Sequence, residues 1–391
     1  MKLKTGFLAL LLAFLCAMDA KAQNKSELKN SNFSELSSYF QELLSTNNVV
    51  GGQLWMLKDG EVIFKDKYGK ANLEKDTPMD EATLFHWASI TKTFTAIGIM
   101  QLRDRGLLSL DDKITDYLPE LRKVHNEYGS MDDITLYQLM THSSGFRSST
   151  WPWREYNWQP LNAQTWEQLE HTLAFSKIHF KPGSKWMYSN PGVTFLGLVI
   201  ERLTNDDFEY YIQKNIFTPL GLSESFFDHA PWHLKDRVAQ SYSYNRNGNR
   251  SKAIFDLDTE ITVANGGLSC SFGDMSKYLN FLLGFGDNGY YETVLKRSSL
   301  EEMFRPRLKT GRNTAQMTEW QSLMFFMEDF EGMKINGHSG WQNGFHTHIY
   351  FDTSKNLAIV FGFNSTGPTN RAMDRQLTNH IFSNYLKPLY K

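Results

Sequence analysis

The chain predicts an α+β fold: an antiparallel sheet built from both chain ends, flanked by helices, with a mostly helical subdomain inserted between. Three observations carry this. Two apolar runs meet at an Asp-Gly pair within residues 49–64. Two strand-like runs, His346–Phe351 and Leu357–Phe363, lie near the C-terminus. Between them the apolar pattern is mainly helical, broken by Gly and Pro, and no repeat, low-complexity stretch or linker divides it. At 391 residues, with 41% hydrophobic and 21% charged residues, the composition is that of a globular protein. A formal net charge of −2 excludes the basic face that a nucleic acid or an anionic membrane would need.

The first segment reads as an address rather than as part of the fold. Lys2 and Lys4 precede an apolar run from Phe7 to Met18, and Ala20-Lys21-Ala22 offers small residues where a signal peptidase reads. Residues 1–22 are therefore expected to be a signal peptide, and the mature chain to be exported to the periplasm or beyond the cell. The apolar run is too short for about 30 Å of hydrocarbon, so no membrane span is expected after cleavage. Cleavage removes Cys16 and leaves Cys270 alone, so no internal disulfide is available and a packed core must supply stability. Residues 23–36 are polar and read as a flexible leader, with one domain over 37–391.

Within that domain, Val49 to Phe64 reads as a hairpin turning at Asp59-Gly60. A helix is expected from Ser89 to Arg105, stopped by Gly106. Phe94, Ile97, Ile99, Met100 and Leu102 cover so much of its surface that it should be buried. Residues 107–330 read as helices and long loops. A final helix is expected from Thr369 to Leu386.

Three short motifs carry chemistry. Ser89-Ile90-Thr91-Lys92 is an S-x-x-K, and residues three apart share a helix face. A serine hydroxyl needs a base to become a nucleophile, and a lysine serves once burial lowers its pKa. A capping serine beside a solvated lysine would give the same four letters, but the helix that follows is too apolar for a surface helix. Tyr188-Ser189-Asn190 precedes an apolar helix starting near Val193; alone it reads as an Asn-Pro turn with an Asx cap. His338-Ser339-Gly340 lies between two strand-like runs, where a glycine allows close backbone approach; alone it reads as a turn.

Taken in this order and spacing, the three resemble the motifs of the serine β-lactamase and DD-peptidase superfamily: S-x-x-K, then Y-x-N, then H-x-G. The flanks Phe85–Ala88, Leu139–Phe146, Gly266–Ser269 and Leu108–Asp112 resemble it too, and the likeness runs from about residue 37 to 387. It implies Ser89 as acylated nucleophile and Lys92 as the group that takes or delocalises its proton. Tyr188 at the second motif implies the class C-related branch, with Tyr188 as the base. Asn190 would hold Lys92 and the substrate amide, and the backbone N–H groups of Ser89 and Trp341 would form the oxyanion hole beside Gly340. Many relatives carry lysine where this chain has His338; the substitution favours ester or peptide hydrolysis, including D-amino-acid substrates, over β-lactam turnover. A penicillin-binding DD-peptidase or class C-like β-lactamase is the alternative, and a non-catalytic binding protein on the same scaffold ranks behind both. The partner is a small-molecule or peptide substrate, with no cofactor.

Other patterns are set aside. Gly284–Gly289 matches G-x-G-x-x-G by letter but follows a helix, not a strand. His346 and His348 share a strand face, yet no further clustered ligand is visible, so no metal is expected. Trp87, Trp186 and Trp341 border the motifs, while Trp151, Trp153, Trp158 and Trp166 crowd one segment. That segment, 151–166, is expected to be a lid walling an apolar pocket.

Overall fold

The computed structural model describes residues 33–149, 163, 165–253, 260–286, 288–368 and 370–390. The signal segment, residues 23–32 of the leader, and Trp151, Trp153 and Trp158 of the expected lid lie outside the described residues. Asp59 and Gly60 have φ of +52° and +84°, as the two central residues of a type I′ turn must. They join β1 (Gly51–Lys58) to β2 (Glu61–Asn72).

Five further strands come late in the chain: β3 (Met317–Gln321), β4 (Phe326–Phe330), β5 (Met333–Gln342), β6 (Phe345–Asp352) and β7 (Leu357–Phe363). They complete one antiparallel sheet in the order β2-β1-β7-β6-β5-β4-β3, with Thr77–Pro78 and Leu308–Lys309 as short edges. N-terminal β1 pairs with C-terminal β7 from Gly52↔Phe363 to Lys58↔Leu357, so the two chain ends do share one sheet. Two expectations change. β3 and β4 fall within 107–330, where helices and loops were expected. The His338-Ser339-Gly340 motif lies inside β5 rather than at a turn between strands.

Both faces of the sheet are covered, which is why all eight residues of β1 are buried. Strand alternation sends Leu54 and Met56 to one face and Trp55 and Leu57 to the other. The first face packs against α1 (Phe33–Thr46), through Leu36, Phe40 and Leu44, and against a C-terminal helix, Asn370–Ile381, through Leu377 and Ile381. Residues 33–36, read from sequence as leader, are the first turn of α1. Leu36 is fully buried, and that apolar contact orders the turn. The other face packs against α2 (Thr91–Asp104), its neighbour α3 (Asn190–Thr204) and α4 (Phe272–Leu283). Every residue of α2 from Thr91 to Leu102 is buried, as its apolar surface predicted. The Asn370–Ile381 helix, α5, continues through a turn at Phe382–Leu386. Gly284 caps α4 with a left-handed φ of +85°, the structural role of the G-x-G-x-x-G look-alike. Among the described residues no helix is long and apolar enough to cross a membrane.

Candidate active site

A three-stranded ribbon delivers the segment that carries Ser89. Leu84–His86 pairs with Leu268–Ser271, which also pairs with Ser225–Phe227. The chain then turns through Ala88–Ile90, a single 3-10 turn carrying Ser89, before α2 begins at Thr91. Ala88 is held at φ +48°, a conformation that costs a non-glycine residue about 1–3 kcal/mol. Thr91 holds it there: its Oγ1 donates to Ala88 O (2.6 Å) and accepts from Leu268 N (3.0 Å).

The strand β5 lies against this turn, and Gly340 makes the approach possible. A Cβ at residue 340 would stand 2.1 Å from Trp87 O and 2.5 Å from Thr347 Oγ1. The glycine of the third motif is thus required first by the turn that carries Ser89. Gly340→Ala is expected to destabilise the fold by about 1–3 kcal/mol and to displace Ser89, lowering kcat more than KM; urea unfolding and steady-state kinetics check this. β4 pairs with β5 only over Met333–Gly337, whereas β6 pairs with it over Asn336–Gln342. The stretch 338–342 therefore has a strand on one side and the Ser89 turn and cleft on the other.

Lys92 is fully buried. Its Nζ lies 3.0 Å from Ser89 Oγ and donates to Asn265 O at 2.6 Å. Burial pushes its pKa well below the ordinary lysine value because desolvation penalises the ammonium. Tyr188 stands opposite, its ring centroid 5.1 Å from Lys92 Nζ. Its phenol hydrogen-bonds Ser89, which draws its pKa down, but burial is the larger effect and holds it above the ordinary tyrosine value. Burial thus favours a resting pair of neutral amine and neutral phenol.

The second motif is positioned by the start of α3. Ser189, not Asn190, is the cap: its Oγ accepts from Gly192 N at 3.1 Å. Asn190 is left with a buried Oδ1 that has no partner. The bond from Asn190 to Lys92 implied by the resemblance is not made; Asn265 O occupies the amine instead.

His338 donates Nδ1–H to Ser339 O at 2.8 Å, since a carbonyl can only accept. Its Nε2 therefore carries the lone pair, and it is buried without a partner. Burial and the nearby Lys92 amine push the His338 pKa down to about 3. His338 is a neutral acceptor, the electrostatic opposite of a lysine at this place. Trp341 is 42% exposed at the cleft and lies over His346 at 4.9 Å between ring centroids.

Ser89, Tyr188, Asn190, His338 and Trp341 line one cleft of about 590 Å³, together with Trp186 and Phe326. Lys92 lies just beneath, behind Ser89. The rest of the wall is strongly polar: Arg312, Glu319, Glu328, Asp374 and Arg375. Arg312 stacks over Trp186 and Phe326, 4.9 and 4.5 Å from their ring centroids, and pairs with Glu319 at 2.7 Å. Arg375 pairs with Glu328 at 2.9 Å. The apolar pocket expected from the tryptophans is not what the described wall provides. Trp166 packs on core residue Phe195, and Trp87 is fully buried with its Nε1 donating to Cys270 O. Cys270 itself is buried, and burial raises its pKa, so it is an inert core thiol.

Sequence reading missed three contributors. His142 lies in the flanking segment Leu139–Phe146 but was given no role. Its ring is 4.5 Å from that of Tyr188, its Nδ1 accepts from Ser189 N at 3.2 Å, and its Nε2 is buried and unpartnered. Asn265 acts through its backbone carbonyl, which no side-chain pattern reveals. Arg312 has no local motif.

A family model described as Beta-lactamase matches residues 36–381. The chain belongs to the beta-lactamase family. A penicillin-binding protein of Bacillus subtilis (strain 168) is 25% identical over 342 residues, covering 85% of this chain and 72% of that protein. Protein flp of Staphylococcus aureus (strain NCTC 8325 / PS 47) is 24% identical over 337 residues, covering 85% of this chain and 63% of its own length. An octameric penicillin-binding protein homologue from Pyrococcus abyssi superposes with a TM-score of 0.75 at 26% identity, covering 86% of this chain and 74% of that one. A class C beta-lactamase superposes with a TM-score of 0.72 at 21% identity, covering 90% and 96%. The fold is therefore that of this beta-lactamase and DD-peptidase superfamily, and family membership supports a serine-hydrolase-like function.

Two buried histidines of this beta-lactamase-family chain make its stability depend on pH. Burial lowers His86 to about 4 and His338 to about 3, against about 6.5 in an unfolded chain. Below pH 6.5 the unfolded chain binds protons that the folded chain does not, so stability falls as pH drops toward 4. The slope is up to ~1.4 kcal/mol per pH unit for each histidine. Urea midpoints in EDTA at pH 7.5 and pH 5 check the direction.

Proposed function

We propose that the chain is an exported serine hydrolase that cleaves an ester or peptide bond through an acyl-enzyme on Ser89. One observation carries the reading: a fully buried lysine amine, depressed in pKa, lies 3.0 Å from the Ser89 hydroxyl. The neutral Lys92 amine takes the Ser89 proton while Oγ attacks the substrate carbonyl carbon. The carbonyl π electrons move to oxygen, and the backbone N–H groups of Ser89 and Trp341 receive that oxyanion, an interaction whose loss typically costs about 2.7–4 kcal/mol. Tyr188 then gives its phenolic proton to the leaving oxygen or nitrogen as the carbon–leaving-group bond breaks, and recovers a proton from the Lys92 ammonium. Water repeats the sequence on the acyl carbon and restores the Ser89 hydroxyl. Lys92 replaces Tyr188 as the base because the desolvation of a buried phenolate outweighs what the Ser89 hydrogen bond and the Arg312 charge return to it.

The substrate class follows from the wall. His338 offers a lone pair and no positive charge, so it suits a donor such as an amide N–H or a hydroxyl rather than a carboxylate. The two cations lining the described cleft, Arg312 and Arg375, are already paired with glutamates. This supports an ester or peptide substrate with polar substituents, D-amino-acid peptides among them. The penicillin-binding reading is second, supported by what the relatives in Bacillus subtilis and Pyrococcus abyssi are named. Export rests on the signal pattern of residues 1–22. A panel of p-nitrophenyl esters, D-amino-acid amides and nitrocefin, run on wild type and Ser89→Ala, tests these readings. Turnover of esters or amides that vanishes in the variant supports the first; nitrocefin hydrolysis exceeding both transfers the assignment to the second; turnover that survives Ser89→Ala removes both.

A further inference from the structure

One wall of the cleft holds a cluster that the serine chemistry leaves unused. His346 and His348 lie on the same face of β6, and α5 brings Asp374 against them. His346 Nε2 and His348 Nε2 stand 3.2 and 3.1 Å from the same oxygen, Asp374 Oδ2, and 3.1 Å from each other. The three atoms form a nearly equilateral triangle, and both imidazoles are buried.

Hydrogen bonds alone do not satisfy this triangle. If both Nε2 atoms carry protons, each donates to Asp374 and two N–H groups face each other at 3.1 Å. If one Nε2 is bare, the single remaining N–H donates either to that nitrogen or to the carboxylate, and the bare nitrogen faces the carboxylate oxygen with no proton between them. Either way, at least one contact is repulsive. A cation shared by three lone pairs satisfies all of them.

We propose that His346 Nε2, His348 Nε2 and Asp374 Oδ2 bind one divalent transition-metal ion of the Zn²⁺ class at the wall of the cleft. Three donors on a tetrahedron around Zn²⁺, with bonds of about 2.0–2.1 Å, lie about 3.3 Å apart, close to the spacing observed. Two imidazoles and one carboxylate suit Zn²⁺ and its neighbours rather than Mg²⁺ or Ca²⁺, which take oxygen ligands. Tyr350 Oη lies 3.3 Å from His348 Nδ1. With a metal on Nε2, His348 Nδ1 carries the proton and Tyr350 Oη is placed to accept it, as supporting partners of metal ligands do. The neighbouring Arg375 has its charge taken up by Glu328. All three ligands line the cleft that contains Ser89, so three protein ligands leave a fourth position for water or an anionic group. The site stands on its own geometry and does not depend on Ser89 being a nucleophile.

The test uses untagged full mature chain, stripped with EDTA and desalted, titrated with ZnCl₂ by calorimetry and with CoCl₂ by visible absorption. One Zn²⁺ per chain and an intense, low-symmetry Co²⁺ spectrum are expected. His348→Gln and Asp374→Asn should each weaken binding by at least about 10–100-fold, while Ser89→Ala binds as wild type. Absence of saturable one-to-one binding, or equal affinity in His348→Gln and Asp374→Asn, overturns the site. Circular dichroism of the metal-free variants separates ligand loss from unfolding. If neither variant folds, the wild-type Co²⁺ spectrum decides: a weak octahedral spectrum overturns the assignment. Because Ser89→Ala keeps the metal and the metal variants keep Ser89, failure here and failure of the hydrolase reading are distinguishable.

Discussion

Replacing Ser89 by alanine is expected to lower kcat/KM by about 10⁴-fold or more, and to abolish covalent labelling by a serine-directed probe such as a fluorophosphonate. The size follows from what is removed. In the proposed mechanism Ser89 Oγ accepts the new acyl bond, and among the described residues no other hydroxyl lies on the Lys92 amine, whose partners are Ser89 Oγ and Asn265 O. In the same proposal the residual rate comes from the oxyanion donors and from substrate positioning, which the variant retains. The fold should be indifferent to the change. Ser89 is partly exposed, and the turn around it is fixed by Thr91 and Leu268 rather than by its own hydroxyl. Intact-mass spectrometry after probe treatment, with a matched thermal melt, reads both quantities. Labelling that persists in Ser89→Ala places the nucleophile elsewhere.

Lys92→Met should move activity and stability in opposite directions. Activity falls by about 10²–10⁴-fold, the usual worth of a positioned general base. Stability rises, because the wild type must bury an ionisable amine and methionine fills the same space with an apolar chain. The opposing cost is Asn265 O, which loses its donor, about 1–3 kcal/mol. The sign with pH follows from the lowered pKa of Lys92. Below the ordinary lysine value of about 10.4, unfolded Lys92 holds a proton that the folded state resists. The variant's advantage is therefore larger at pH 7 than at pH 10, grows as pH falls through the lowered pKa of Lys92, and vanishes as pH rises past the ordinary lysine value. The same depression places the acid limb of the wild-type pH–rate profile well below the lysine range, with activity lost as pH falls and the amine protonates. Denaturant melts at pH 7 and pH 10, with a kcat/KM profile, test both. A variant less stable at both pH values would show that the buried amine is a net structural asset.

Much of the fold was legible because it is locally encoded. The Asp59-Gly60 turn, the apolar runs of β1 and β7 and the all-round apolar surface of α2 each follow from neighbouring residues alone. β3 and β4 escaped because buried polar residues interrupt their apolar positions, Met317 on β3 and Phe326, Met327 and Phe330 on β4. Glu319 and Gln321 on β3, and Glu328 on β4, are buried, held there by Arg312, Trp186 and Arg375. Polar residues that line the cleft hid the period of the strands that bear them. The first turn of α1 was misread for the converse reason: Ser34 and Glu35 sit on the exposed side, and Phe33 and Leu36 report the sheet beneath it.

The sequence by itself determined the motif set. Ser89 and Lys92 are three apart on one helical turn, and Tyr188-Ser189-Asn190 and His338-Ser339-Gly340 are contiguous. Such spacings are covalent facts, and they sufficed for the superfamily. Tertiary structure decided the rest. It sets the protonation of Lys92, Tyr188 and His338, because desolvation is imposed by groups far away in the chain. It gives Gly340 its reason, since the carbonyl it must clear belongs to Trp87. It also carries Asp374 from the last helix to His346 and His348. Charge state and ligand geometry depend on what surrounds a side chain in space, and a linear order records that only where neighbours in sequence are also neighbours in the fold.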